Sequence, residues 1–205
     1  MTQLPFSLIV ITDWALNDLI PRVEAALQAG PGIAIQHRHP GATDRELFEE
    51  AVALERLCRA ANAPLFINGR LDLALAMNAN LHCTTRSLKP RDVRGRFGGL
   101  ISCVVHDEAD STDGADLALV SPVFRPGSKP DDTRTPLGVA GFQRIARALP
   151  CPAFALGGLD TTNAGSVKAA GVAVISAVLH ASDPKAAARV LLQGQVPLKV
   201  IDGTV

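Results

Sequence analysis

The feature of this 205-residue chain that most restricts its fold is a repeated alternation of short apolar runs with longer stretches of helical periodicity. Runs such as Leu-Ile-Val-Ile at residues 8–11 are apolar at successive positions. Continuous apolarity is typical of strands buried on both faces, as in parallel sheets covered by helices. The sequence predicts eight such strands, at residues 7–13, 32–39, 64–68, 80–84, 100–106, 117–124, 151–157 and 172–178.

Helical patterns lie between these runs. The first of them places five residues on one stripe, which is helical spacing: Leu19, Ile20, Val23, Ala26 and Leu27. The segment Thr43-Asp44-Arg45-Glu46 has the form of a capping box at the start of the second. The predicted helices are residues 17–29, 44–61, 71–78, 89–97, 107–113, 141–149, 162–170 and 184–193.

Eight β–α alternations predict an α/β protein with a single (β/α)8 TIM barrel spanning residues 1–205 as one domain. A doubly wound open sheet is the alternative, although such sheets usually have fewer strands. The segment 196–205 alternates apolar and polar residues and has no evident partner. Packing at the base of the barrel and packing at a subunit contact of a homodimer both remain open for it.

The composition excludes several classes of protein. Twenty basic residues balance twenty acidic ones, so the chain lacks the basic footprint of a nucleic-acid-binding protein. No apolar stretch reaches the roughly 18 residues that a membrane span needs, and the N-terminus lacks the basic start of a secretory signal. We expect a cytoplasmic protein with no membrane or nucleic-acid partner. The four cysteines form no CxxC pair, which favours free buried thiols over a zinc site.

Functional residues of such barrels lie at the C-terminal ends of the strands. Gly157 and Gly158 follow the seventh predicted strand, and Ser176 lies in the eighth. Bare backbone N–H groups at this position would form a cradle for a phosphate group. An ordinary tight turn is the competing interpretation of the two glycines.

Cationic and amide side chains follow the second, third and sixth strands. Arg38 and Arg70 could clamp an anion, or could pair with nearby carboxylates such as Asp13 and Asp72. Lys129, after Ser128 in a loop rich in proline and glycine, could close over a ligand or remain solvated.

The histidines divide into two groups. His37 and His39 alternate with Gln36 and Arg38, so they should face the helices if the latter two point into the barrel. His82 and His106, which lie at strand ends, are the candidates for proton transfer, with a structural role as the alternative. His180, after the eighth strand, could approach the phosphate. No pair of histidines has the spacing of a metal site.

These strand ends, in order, resemble the thiamine-phosphate synthase superfamily, which includes the thiazole tautomerase TenI. The matching segments are Ile-Thr-Asp at residues 11–13, Gln36-x-Arg38, Leu-Phe-Ile-Asn-Gly-Arg-Leu-Asp-Leu-Ala at 65–74, Pro-Val-Phe at 122–124 with Ser128-Lys129, Gly157-Gly158 and Val-Ile-Ser-Ala-Val at 174–178. They are collinear over residues 8–190.

The resemblance implies a barrel that binds a thiazole phosphate through Gly157, Gly158, Ile175 and Ser176. In the synthase this thiazole attacks a pyrimidine pyrophosphate held by magnesium. The resemblance places pyrimidine or pyrophosphate contacts at Gln36, Arg38, Asn68, Arg70 and Lys129.

The chain departs from the synthase pattern where the metal would bind. The resemblance places magnesium-binding aspartates at positions 69 and 87, which are Gly69 and Ser87 here, and a lysine at position 40, which is Pro40. Magnesium prefers carboxylate oxygens, so we expect no cofactor, and magnesium only if synthase activity is retained. The pattern is closer to the TenI-like branch, but the histidine usually assigned to its proton transfer is replaced by Pro122.

Three hypotheses follow. The first is a metal-independent isomerase of the thiazole tautomerase type, with His106 or His82 transferring the proton. The second is a noncatalytic binder of phosphates of the thiamine pathway. The third is a synthase that recruits metal through Asp13 or Asp72. The partner in each is a small phosphate ester.

Overall fold

The computed structural model describes residues 4–125 and 134–194. Eight parallel strands pair in sequence order, and the eighth pairs with the first, which closes the sheet into a barrel. The prediction of a single (β/α)8 barrel is therefore confirmed over the open sheet. The strands are β1 Leu8–Ile11, β2 Ile33–His37, β3 Leu65–Asn68, β4 Asn80–Cys83, β5 Ile101–Val105, β6 Leu117–Val120, β7 Ala153–Leu156 and β8 Gly171–Val174.

Alternation along each strand divides the core into two layers. In β1, Leu8 and Val10 belong to the cluster that packs against the helices, whereas Ile9 and Ile11 belong to a second cluster inside the barrel. All four side chains are buried. Burial on both faces explains why the strands are continuously apolar in the sequence.

The interior of the barrel changes from apolar to polar along its axis. Phe6 packs against Phe66 and Phe154 towards the N-terminal ends of the strands, with ring centroids 5.8 and 5.6 Å apart. Gln36 and His82, further along their strands, are both buried polar residues. Among the described residues, this aromatic layer fills the barrel towards the N-terminal ends of the strands, and the polar residues lie towards the C-terminal ends.

The described residues contain seven α-helices. The capping box predicted for α2 is present: the Thr43 hydroxyl accepts from the Glu46 N–H, and the Glu46 carboxylate accepts from the Thr43 N–H. The helices are α1 Leu19–Leu27, α2 Asp44–Ala60, α3 Leu71–Ala76, α4 Pro90–Arg94, α5 Gly138–Ala148, α6 Ser176–Leu179 and α7 Pro184–Gly194.

Two predicted helices are wrong. Residues 107–113 are turns and bends, because the side chains of Asp107 and Ser111 accept from the N–H groups two residues later, as in Asx and ST turns. Residues 162–170 contain only the short 3-10 helix Ala164–Ser166. There the Asp160 carboxylate accepts from the Thr162 and Asn163 N–H groups, a cap that a single 3-10 turn follows.

The eighth strand is shorter than predicted. It ends at Val174, and Ser176 already begins α6. Residues 172–178 are apolar almost throughout, and a run of this kind does not distinguish a buried strand from a buried helix. The turn brings Ile175 and Ser176 to the mouth of the barrel.

Several expectations fall outside the described residues. These are the positions of Ser128 and Lys129 and the packing of segment 196–205. In the part of the chain that is described, no helix combines the length and apolarity required to traverse a bilayer.

Candidate functional site

A cavity of about 580 Å³ lies at the C-terminal ends of the strands. A volume of this size suits a small organic ligand rather than a single ion. It gathers the predicted site residues of the described ranges from six of the eight strands and the loops after them. Those that line it are Gln36, Arg38, Asn68, Arg70, His82, His106, Gly157, Gly158, Ile175 and Ser176.

One wall of the cavity is built from backbone. Gly157 and Gly158 have φ values of +98° and +64°, a conformation that side chains disfavour. A Cβ on Gly157 would lie 2.9 Å from Pro122, and one on Gly158 would lie 2.7 Å from Phe124. Both positions therefore require glycine. Neither N–H group has an acceptor among the described residues, so both are available to a ligand.

Ile175 and Ser176 lie beside these glycines. Ile175 follows β8 with an irregular backbone, and the exposed Ser176 begins the four-residue helix α6. We call Gly157, Gly158, Ile175 and Ser176 the phosphate cradle. Because the predicted helix after Gly158 is absent, the cradle consists of turn backbone and the β8–α6 junction, without a long helix pointing at the ligand.

Two amide side chains form the floor of the cavity. Gln36 Nε2 donates to Asn68 Oδ1 at 3.3 Å, which orients both groups. The other end of the Gln36 amide, Oε1, is buried and has no hydrogen-bond partner among the described residues. A buried acceptor without a donor is costly, so this oxygen favours a ligand that carries a donor.

His82 lies deep in the barrel and is 5% exposed. Its Nδ1 is 2.9 Å from the Ser102 hydroxyl. Burial, assisted by the positive charge of Arg38, lowers the pKa of His82 to about 4. The ring is therefore neutral near pH 7 and is a weak base.

His106 is half-buried at the edge of the cavity. Its Nδ1 lies 2.7 Å from the carbonyl oxygen of Ser121, which can only accept, so Nδ1 carries the proton and donates it. In the neutral ring, Nε2 then holds the lone pair. A guanidinium nitrogen of Arg134 lies 2.6 Å from Nε2 and 2.8 Å from Nδ1.

Arg38 and Arg70 differ in their surroundings. Arg70 donates to Asp72 through two nitrogens at 2.9 and 2.7 Å and to Asp44 at 2.7 Å, so the predicted pairing with Asp72 is confirmed. These contacts hold the pKa of Asp72 at about 2. The side chain of Arg38 makes no hydrogen bond or ion pair with any described residue, and burial lowers the pKa of its guanidinium.

Two arginines that the sequence did not single out also line the cavity. Arg86 lies in the loop after β4, and Arg134 precedes α5. Arg86 lies in a loop that follows a predicted strand, and this position could have identified it as a site residue from the sequence. Arg134 is 28 residues from His106 in the chain, and only the folded structure brings the two together.

Three histidines lie in structural contacts. The prediction that His37 and His39 face the helices is confirmed, because Glu50 of α2 holds their ring nitrogens at 2.9 and 2.8 Å. His180 pairs with Asp13 at 2.9 Å. Neither His180 nor Asp13 lines the cavity.

The residues present do not fit a magnesium site. A Cβ on Gly69 would lie 3.8 Å from the Cβ of Ser87, so the two positions at which the resemblance places aspartates do face one another, and neither carries a carboxylate. Asp13 and Asp72 are held by His180 and Arg70. Among residues 4–125 and 134–194, no group of three or more histidine, cysteine or acidic side chains is arranged to hold a metal ion.

Comparison with curated proteins identifies several relatives. The chain is 36% identical to a thiamine-phosphate synthase of Chloroflexus aurantiacus over 82% of each chain. It is 37% identical to a thiamine-phosphate synthase of Synechococcus over 90% of this chain. The match covers 56% of the Synechococcus protein, so this chain spans little more than half the length of that relative.

Solved structures agree with the barrel. A thiamine phosphate pyrophosphorylase from Pyrococcus furiosus superposes with a TM-score of 0.82 at 30% identity, covering 92% of this chain and 95% of that chain. A 3-hexulose-6-phosphate synthase superposes with a TM-score of 0.66 at 13% identity, a likeness of fold alone. The family model described as thiamine monophosphate synthase matches residues 8–180. The chain therefore belongs to the thiamine monophosphate synthase family.

Proposed function

We propose that this protein binds a thiazole phosphate in the phosphate cradle and isomerises it without a metal, as a thiazole tautomerase does. The observation that carries the proposal is a ligand-accessible cradle in a cavity whose described lining has no aspartate or glutamate. The positions at which the resemblance places magnesium-binding aspartates are Gly69 and Ser87. A dianionic phosphate suits free backbone N–H groups. A proton shift within one molecule needs no magnesium, because no pyrophosphate departs.

His106 is the proton-transfer group in this proposal. His82 is a weak base, since burial lowers its pKa to about 4, well below the pH at which the enzyme would work. His106 lies at the edge of the cavity, and its Nε2 would take the proton once the ligand displaces the Arg134 guanidinium nitrogen, which lies 2.6 Å from it. It would take a proton from one position of the thiazole ring system, and the resulting imidazolium would return a proton at another, so atoms and charge balance.

The amide pair supports the same interpretation. Gln36 Oε1 lacks a donor in the floor of the cavity, and Asn68 holds the other end of that amide. A bound heterocycle or its substituents would supply the missing donor, directly or through water. Hydrogen bonds to these two amide groups would hold the thiazole ring within reach of His106.

The experiment is to incubate the purified protein with the non-aromatic thiazole carboxylate phosphate and follow aromatisation by NMR in the presence of EDTA. We expect acceleration over buffer, and a loss of roughly 100-fold or more in kcat for His106→Gln. His82→Gln should have a smaller effect. Aromatisation no faster than in buffer, by a protein that is folded, would overturn the proposal.

Synthase activity is the second candidate, and the names of the relatives favour it. Proteins 36% and 37% identical to this chain are described as thiamine-phosphate synthases. Magnesium-dependent release of pyrophosphate from the pyrimidine pyrophosphate and thiazole phosphate, at a rate abolished by EDTA, would establish it. The absence of carboxylates at positions 69 and 87 argues for the isomerase instead.

Noncatalytic binding is the third candidate. Pro122 stands where the resemblance places the tautomerase histidine, and it packs against Gly157 instead of facing solvent. Micromolar binding of thiazole phosphate, with turnover in neither the isomerase assay nor the synthase assay, would favour noncatalytic binding over both enzymatic functions.

A further inference from the structure

Arg134 covers the ring that the proposed function uses as its base. One guanidinium nitrogen of Arg134 lies 2.6 Å from Nε2 of His106 and 2.8 Å from Nδ1. Because Nδ1 donates to the carbonyl oxygen of Ser121, Nε2 is the ring nitrogen that can accept from the guanidinium. A lone pair that accepts from Arg134 is not available to take a proton from a ligand. In this arrangement the base is capped.

The cap is a contact that an anion can displace. Arg134 is exposed, and contacts of exposed charged side chains contribute little because water competes for them. The neutral imidazole of His106 offers the guanidinium one uncharged acceptor. A hydrogen bond between a guanidinium and a phosphate oxygen is charge-assisted, and such bonds are roughly twice as strong as those between neutral groups. A phosphate within reach of Arg134 should therefore replace His106 as its partner.

Arg134 lies between the base and the phosphate cradle. His106 follows β5 and Gly157 follows β7, whereas Arg134 lies in the connection after β6, the strand that pairs with both. The N–H group of Leu137, three residues further along, donates to the carbonyl oxygen of Pro122. A Cβ on Gly157 would lie 2.9 Å from the Cα of the same Pro122. The segment that carries Arg134 is thus packed against the cradle, and its side chain lines the same cavity.

We propose that Arg134 is a positioning residue that exchanges partners: it caps Nε2 of His106 until a ligand's phosphate occupies the cradle, and it then moves to that phosphate and uncaps the base. The inference deepens the proposed function and rests on it, because His106 is the base and the cradle is the phosphate site. Proton transfer is thereby tied to the charge of the ligand. An isomer without a phosphate meets a capped base, so selection for phosphorylated ligands acts on the rate of proton transfer as well as on binding.

The first test measures the accessibility of Nε2 without turnover. Diethyl pyrocarbonate modifies unprotonated histidine nitrogens, and peptide mass spectrometry gives the rate at His106 with and without inorganic phosphate, at one pH and at concentrations that calorimetry shows to be saturating. We expect phosphate to raise this rate by roughly threefold to fivefold, since the contact that it breaks is exposed and weak. In Arg134→Gln the rate should be high without phosphate and should not rise further. His180, which does not line the cavity, is the internal control.

Two further variants assign the effect to the charge at position 134. Arg134→Lys keeps a cation there, so it should keep a response to phosphate. Arg147 is an exposed arginine of α5 that does not line the cavity. Arg147→Gln should therefore respond to phosphate as the wild type does.

The second test measures proton transfer with the ligand supplied in two pieces. The non-aromatic thiazole carboxylate that lacks the phosphate is incubated with the protein, and its aromatisation is followed by NMR with and without inorganic phosphate. We expect phosphate to accelerate the wild-type reaction. In Arg134→Gln the rate should not depend on phosphate, because no cap has to be removed.

The outcomes distinguish this inference from the proposed function. If calorimetry shows that neither inorganic phosphate nor thiazole phosphate binds, the cradle fails and the proposed function fails with it. If phosphate binds and the modification rate of His106 stays unchanged, or rises equally in Arg134→Gln, the exchange of partners is overturned while the proposed function stands.

Discussion

The two walls of the cavity are built from different parts of the chain. The cradle wall, after β7 and β8, consists largely of glycine backbone whose N–H groups are free. The other wall, after β2 to β4, consists of side chains: the free Arg38 and Arg86, the paired Arg70 and the buried His82. Backbone groups are held by the barrel itself, whereas the charge of the other wall depends on individual residues.

Because of this difference, the two walls tolerate different substitutions. A substitution in the cradle adds atoms where none fit and so acts on folding and binding together. A substitution in the other wall changes charge while leaving the backbone in place. The wall that varies without disturbing the fold is the one where this chain departs from the synthase pattern, at Gly69 and Ser87.

The largest expected effect is that of Gly158→Ala. The new Cβ would lie 2.7 Å from the backbone of Phe124 and Arg125 at a φ of +64°, which should lower the free energy of unfolding by about 4 kcal/mol. Urea denaturation measures this, and calorimetry should show weakened phosphate binding. Gly165→Ala, where a Cβ meets nothing within 4 Å, should cost less than about 1 kcal/mol. Equal stability of the two variants would contradict the packing argument.

The next effect concerns the buried histidine of the other wall. Burial lowers the pKa of His82 to about 4 from its ordinary value of 6.5, so between these pH values the unfolded chain binds more protons. Stability is full above pH 6.5 and should fall by about 3 kcal/mol as the pH drops to 4. Burial also lowers the pKa of His37, which adds a loss of the same sign.

His82→Gln should reduce the loss of stability between pH 6.5 and 4. The free energy of unfolding, measured by urea denaturation at several pH values, checks this. His180→Gln is the control, because His180 is about half exposed and paired with Asp13 at the surface. An unchanged slope of stability against pH in His82→Gln would assign the acid sensitivity to another group.

Restoring carboxylates should restore a metal site. In Gly69→Asp with Ser87→Asp, the two Cβ atoms would lie about 3.8 Å apart, and aspartate tolerates the φ of +71° at position 69 better than most residues. Magnesium at ten times its dissociation constant should then stabilise the variant by about 1 kcal/mol. The paired Asn substitutions, which lack the charges, should show no magnesium-dependent shift. A shift of equal size in both variants would show that the carboxylates are not the ligands.

The smallest effect is expected from freeing Arg70. Asp72 is exposed and its contact with Arg70 is a surface pair, so Asp72→Asn should raise the affinity for a phosphorylated ligand by only about twofold to threefold. Glu24→Gln removes a carboxylate from the surface of α1 and should leave the affinity unchanged. Weaker binding by Asp72→Asn would mean that the pair positions Arg70 for the ligand.

The sequence predicted all eight strands because burial on both faces leaves continuous apolar runs, as in Leu-Ile-Val-Ile of β1. It failed at residues 107–113, where the side chains of Asp107 and Ser111 accept from backbone N–H groups two residues later and so favour turns. It also extended β8 into α6, because buried strand and buried helix share one composition. The predicted site residues within the described ranges meet in one cavity, but Arg86 and Arg134 were not among them.

The sequence by itself determined the barrel, the glycines of the cradle and the loss of the metal aspartates, since each is written in local residue type and order. Only the tertiary structure decided which arginines are free, which histidine is a weak base and that Gly69 faces Ser87. Those properties depend on neighbours far apart in the chain: Asp44 beside Arg70, Arg38 near His82 and Ser121 beneath His106. Charge pairing and burial are properties of such neighbours, so they arise only when the barrel closes.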